Sequence, residues 1–165
     1  MPCTQRRVTS TARVLTAALS AAAALSGCSG LQFVQDRRLR FTAPAANKVT
    51  TLPVTISWSM KDFTAGPSRG SFAVFLDQAP IRIGQTLQAT MDSPKTAVTP
   101  ELLEAINVYT TTRTSITITH IPAVHKSASN RQRHAVTVVL LDAAGRRDDE
   151  SAWTRTFDLD VKGLS

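Results

Sequence analysis

The sequence predicts an all-β protein, an antiparallel sandwich of six or seven short strands with one short helical insertion, and three observations predict it. Apolar residues recur at every second position in Val54–Met60 and again at Ile116 and Ile118, followed by His120, within Thr114–Ile121, the period of a strand with one buried face. Turn-forming residues break these runs at short intervals, as in Gly66-Pro67, Gly70, Asp77 to Pro80, Gly84 and Gly145. After residue 40 only the stretch beginning Thr99-Pro100-Glu101 opens as a helix does.

The first 27 residues stand apart. Arg6, Arg7 and Arg13 precede an apolar run over 14–25, which ends at Leu25-Ser26-Gly27-Cys28. A basic segment, a short apolar segment and small residues before a cleavage point make a secretory signal. The run is too short and too rich in Ala for a membrane span, which needs about 20 apolar residues. Arg6-Arg7 raises the twin-arginine route, but Val8, Thr9 and Ser10 fit it poorly. A plain signal leaves Cys28 unexplained. Leu25-Ser26-Gly27-Cys28 resembles the lipobox of bacterial lipoproteins, and that resemblance implies cleavage before Cys28, acylation of Cys28 and an extracytoplasmic envelope protein held to a membrane by lipid. The expected division is a signal peptide over 1–27, a lipidated tether over 28–40 and one sandwich domain over 41–163.

Charge and cysteine follow from that division. The chain has 19 basic and 12 acidic residues, and removing the three signal arginines leaves 16 against 12. A surplus of four suits an anionic envelope surface, and it is weak support for a nucleic-acid partner, which an envelope address also disfavours. The two cysteines are Cys3, which leaves with the signal, and Cys28. No disulfide then remains, and a domain of about 120 residues must be held by its core, which that length allows.

Along the domain, Val54, Ile56, Trp58 and Met60 share one side of the first strand. Lys61 to Gly70 is a loop. Phe72–Asp77 is apolar on both faces and so central. Thr99 as N-cap, Pro100 in the first turn and Glu101 at the positive end of the dipole start a helix expected to run to about Val108, burying Leu102, Leu103 and Ile106. Thr114–Ile121 is the next strand, His134–Asp142 the longest, and Ser151–Val161 the last. Trp58, Ile56, Phe72, Val74, Ile118, Val136 and Val138 are the expected core between two sheets.

Three segments resemble the fibronectin type III and immunoglobulin-like superfamily. Ile56-Ser57-Trp58 is similar to its second strand, Ile118 to Pro122 to its fifth strand and the corner after it, and His134 to Val138 through Ala144-Gly145-Arg146 to its sixth strand and turn. The family's Tyr, eleven residues before that Gly, is here His134. The resemblance implies an immunoglobulin-like sandwich in which 83–113 is an insertion and 123–133 a lengthened corner. It implies no particular chemistry, because this fold hosts binding and spacing roles of many kinds.

Function must come from sites. The sequence has no G-x-S-x-G, S-x-x-K or H-E-x-x-H pattern and no phosphate-binding Gly loop, so no enzyme and no cofactor are expected. Asp148, Asp149 and Glu150 read as a solvated hairpin tip. His120, His125 and His134 flank one loop and could together form an open zinc or copper site, although their spacing matches no tight ligand pattern. His134 alone is better explained as a replacement for the corner Tyr, bonded to backbone. Trp153 is the candidate for an exposed glycan contact. Phe75, Val139 and Leu141 fall on the face of their strands opposite the core, and so form a partner surface unless the helical insertion folds over them. The expected role is recognition or spacing of another envelope component without catalysis, with a wall-polymer or glycan binder and a metal-binding protein as alternatives.

Overall fold

The computed structural model describes residues 38–121 and 131–160. The segment read as a signal peptide, Cys28, His125 and Val161 lie outside them. Among the described residues, eight strands form two sheets. The first contains β1 (Leu39–Ala43), β3 (Val54–Met60) and β6 (Ser115–Ile118), in the order β1-β3-β6 and antiparallel throughout. The second contains β2 (Val49–Thr50), β4 (Ser71–Leu76), β5 (Val108–Thr111), β7 (Arg131–Leu141) and β8 (Arg147–Asp160), in the order β2-β8-β7-β4-β5. It is antiparallel except for the parallel β2–β8 pair. The fold is all-β.

One apolar core lies between the sheets. Leu39, Phe41, Val54, Ile56, Trp58 and Ile118 of the first sheet meet Phe72, Val74, Val136, Val138 and Phe157 of the second, and all seven expected core residues are among the buried set. Trp58 sits edge-on to Phe72, ring centroids 5.3 Å apart, which joins the sheets through a quadrupole-favoured contact as well as by area. The alternation that predicts β3 is thus the alternation of its burial, with Val54, Ile56 and Trp58 inside and Thr55 and Ser59 outside.

A second apolar cluster occupies the other face of the five-stranded sheet. Ala73 and Phe75 of β4, Val139 and Leu141 of β7 and Ala152 of β8 are covered by Ile81, which precedes the 83–113 segment, and by Leu87, Leu103 and Val108 within it. Phe75, Val139 and Leu141 are therefore not a partner surface; each is at most 2 % exposed. The cover is held by polar bonds at the start of β8. Arg147 is buried and donates from Nη1 to the Ile81 carbonyl at 2.6 Å, while Gly84 N–H donates to Arg147 O at 2.9 Å and Arg147 N–H to Gln85 O at 2.8 Å.

Several boundaries differ from expectation. β1 begins at Leu39, inside the expected tether, because Leu39 and Phe41 alternate with exposed Arg40 and Thr42. The helix, α1 (Pro100–Ala105), stops short of Val108: Asn107 takes a left-handed φ of 58° and turns the chain into β5. Leu103 is its buried residue, and Leu102, expected inside, is 41 % exposed. Asp148 to Glu150 are not a hairpin tip; the turn is at 142–146, where Asp142 Oδ1 accepts from Ala144 N–H and Arg146 N–H at 2.8 Å each. The acidic run lies within β8, at a bulge where the β7 register passes from Val139↔Ala152 to Leu140↔Asp148.

Candidate interaction site

The chain changes sheets between β5 and β6, and both strands are terminal in their sheets. The corner joining them is short, and Arg113 N–H donates to Thr111 Oγ1 across it at 3.0 Å. The two edges therefore open on one groove of about 500 Å³, lined by Leu103 and Glu104 of α1, by residues 108–111 of β5, by Arg113, and by Ser115, Ile116 and Thr117 of β6. α1 is placed by its own start: Thr99 Oγ1 accepts from Leu102 N–H at 3.3 Å, and the Glu101 carboxyl is held below the usual carboxylate range by backbone N–H and by the Thr99 hydroxyl.

Register shows which backbone groups face the groove. Leu76 N–H donates to Asn107 O at 2.9 Å, which makes 76 and 107 a hydrogen-bonded pair. In an antiparallel ladder such pairs alternate with non-bonded ones. With Val74 opposite Tyr109 and Phe72 opposite Thr111, those two residues bond toward β4, so the N–H and C=O of Val108 and Thr110 point to the free edge. The same argument holds across the groove. Trp58 N–H donates to Thr114 O at 2.9 Å, Ile56 faces Ile116 in the bonding register, and the backbone of Ser115 and Thr117 points away from β3. Thr110 of one sheet and Ser115 and Thr117 of the other thus present outward N–H and C=O groups to one space, while those of the fully buried Val108 stay enclosed. None of the four makes a backbone bond on that side among the described residues.

The side chains around these groups are mixed. Tyr109 and Ile116 are half-buried and pack on the main core, giving the groove an apolar floor. Burial pushes the Tyr109 phenol up, and the negative charge of Glu104 adds to the shift, so the hydroxyl is a neutral donor and acceptor near pH 7. Arg113 supplies a permanent cation and Glu104 a carboxylate. The arrangement suits hydrogen bonding to a ligand that carries donors and acceptors at regular spacing.

The residues singled out in the sequence lie elsewhere. Trp153 is half-buried at the rim of the main core, edge-on to Phe41 with centroids 5.9 Å apart, and is not an open platform. His134 is buried; its Nδ1–H donates to Asp77 Oδ2 at 2.6 Å, since a carboxylate only accepts. Asp77 Oδ1 also accepts from Ala135 N–H at 2.8 Å, so this carboxylate ties the end of β4 to β7. The partner of His134 is therefore a side chain and not the expected backbone, and its Nε2 is enclosed in the interior. His120 is exposed, His125 lies outside the described residues, and among the described residues no three His, Cys, Asp or Glu gather as metal ligands. The groove itself is missed by sequence reasoning. Its signals are Asn107, a left-handed residue after a helix, and the β-favouring run Val108 to Thr111. No family model, no curated protein and no solved structure matches this chain.

Proposed function

We propose that this chain is a lipid-anchored, extracytoplasmic protein of the bacterial envelope, and that its immunoglobulin-like domain binds another envelope component without catalysis. The single observation that carries binding is the groove, where outward backbone groups of Thr110, Ser115 and Thr117 meet over an apolar floor. The immunoglobulin-like reading draws support from strand order. β1-β3-β6 follows the A-B-E order of that fold, and β8-β7-β4-β5 follows the G-F-C-C′ order of its larger sheet. The anchor draws support from Leu25-Ser26-Gly27-Cys28. A lipid on Cys28 would hold the domain close to the membrane and concentrate it near partners in the same envelope.

The test joins anchor and groove. The full chain is expressed in a bacterium with a photo-crosslinking residue at Thr117, or at Lys48 beside β2 on the far edge of the larger sheet. The mature protein should begin at an acylated Cys28, and a discrete envelope adduct should form from Thr117 and not from Lys48. An unmodified Cys28 within a longer chain overturns the anchor. Adducts from Lys48 alone overturn the groove as the contact site.

A further inference from the structure

We infer that the groove accepts an extended polypeptide segment of a partner protein, which adds to the free edge of β6 as a fourth strand of the smaller sheet. The inference rests on the proposal that the groove is the contact site and goes further by stating the chemistry of the occupant. The two sheets have four edge strands among the described residues, and three of them are closed to a further strand. β1 carries Arg40 and a register shift, β2 is two residues long, and β5 is flanked by α1 with its Val108 fully buried. The stretch of β8 that β2 does not reach carries a bulge, Asp148 and Arg155. Charges, bulges and shortness are how a sheet edge is normally blunted. β6 reads Ser-Ile-Thr-Ile, with no charge, no proline and no register shift against β3. Ser115 is half-buried and Thr117 exposed, and both line the groove, so the N–H and C=O that each turns away from β3 are open to it. Such a row is matched by another extended backbone, which carries its own donors and acceptors at the same repeat.

The layers explain why the groove lies there. Three strands face five, and beside β6 the smaller sheet ends while β5 of the larger one continues across the groove. Tyr109 of β5 and Ile116 of β6 pack on the main core at that place and stay half-buried. A strand beside β6 would cover both, because an added strand continues the pleat of its neighbour. Its inward side chains are therefore expected to be β-branched or aromatic. Charge sets the flanks. Arg113 stands two residues before Ser115, at the corner, and Glu104 stands on the α1 wall, near enough to push the Tyr109 phenol up. An acidic residue of the occupant fits the first and a basic residue the second. A second folded copy does not fit. The free side of its β6 is its own groove, walled by its own α1, so the walls of the two copies would meet before their strands could pair.

The experiment uses the full-length protein in detergent and a phage-displayed library of random heptapeptides as the probe. Selected peptides are synthesised, and their affinity is measured by fluorescence anisotropy for the native chain, Thr117→Pro and Thr110→Pro. Thr117→Pro removes an N–H that points into the groove and breaks no backbone bond to β3, so the chain should fold with a melting temperature close to native. It should weaken peptide binding about tenfold or more, while Thr110→Pro, on the facing edge, should have a smaller effect. Independently of any protein variant, N-methylation of the peptide should abolish binding at alternate residues and be tolerated at those between. Bound peptide should also slow amide exchange at Ser115 and Thr117 and leave Ile116 unchanged. Peptides that bind in the groove but ignore N-methylation would overturn strand addition and leave the groove as the contact site. Peptides lost with Thr110→Pro and retained with Thr117→Pro would overturn the assignment to β6. A Thr117 crosslink to a second copy of the chain, with no other adduct, would overturn the partner segment as occupant. Recovery of no groove-dependent peptide would overturn the inference, whereas adducts from Lys48 alone in the crosslinking experiment would overturn the reading beneath it.

Discussion

Replacing Phe75 with Ala tests whether the insertion closes over the larger sheet in solution. Phe75 points away from the main core, is completely buried, and is enclosed by Ile81, Leu87, Leu103 and Val108. A fully buried phenylalanine removes about 150–250 Å² from water. At about 25 cal/mol per Å² the whole side chain contributes about 4–6 kcal/mol, and because Ala retains the β-carbon the expected loss is about 3–5 kcal/mol. That is a large share of the about 5–15 kcal/mol that holds a typical domain. Guanidinium unfolding followed by tryptophan fluorescence reads it directly. Leu103→Ala, from the facing side of the same cluster, should cost about 2–5 kcal/mol, and the double mutant should lose less than the sum, since the two share one cavity. A loss below about 1 kcal/mol at Phe75, with no coupling to Leu103, would mean that the insertion does not cover the sheet. The apolar patch of Phe75, Val139 and Leu141 would then be open after all.

Three further outcomes follow from particular contacts. Gly70 has φ of 114°, and a β-carbon there would lie 2.1 Å from the Leu141 carbonyl oxygen, so Gly70→Ala must displace backbone. It should cost at least about 1–3 kcal/mol from the forced conformation alone, read by the same unfolding experiment. Arg147→Met should strand the buried Ile81 carbonyl, lower stability by at least about 1–3 kcal/mol, and open residues 81–86 to limited proteolysis. Tyr109 is the only tyrosine in the chain, so alkaline absorbance titration reports it alone and should show a midpoint above the ordinary value of about 10. Because the folded state favours the neutral phenol, its contribution to stability is full below about pH 10 and is lost as pH rises through the raised midpoint. Glu104→Gln should lower that midpoint only in part, since burial is the larger cause.

The readable parts of the fold were those where one face is wet and the other dry. β3 runs over the expected Val54–Met60, because every second residue is apolar and buried. The start of α1 was equally legible: Thr99 caps with its own hydroxyl and Pro100 gives up an N–H that has no partner in a first turn. β1 was hidden by charge, since Arg37, Arg38 and Arg40 read as a spacer although Leu39 and Phe41 carry the alternation into the core. β2 is two residues long and is defined only by its pairing with β8. β5 is not expected from sequence: the helix reads to about Val108, and the left-handed turn at Asn107 that ends it early and starts the strand leaves little local trace. The groove arises where the ends of two sheets meet, a relation that no local pattern encodes. The bond between His134 and Asp77, likewise, joins residues 57 positions apart.

Amide hydrogen exchange along residues 107–118, resolved residue by residue by NMR on the uncomplexed protein, is the most direct test of the account, because the groove depends on alternation along two edge strands. The amides of Thr110, Ser115 and Thr117 should exchange quickly, while those of Tyr109, Thr111 and Ile116, which bond inward to β4 and β3, should be protected. Uniform protection across 109–111 and 115–117 in the free protein would contradict the account, since it would mean that both edges are already paired and the groove offers no backbone to a partner.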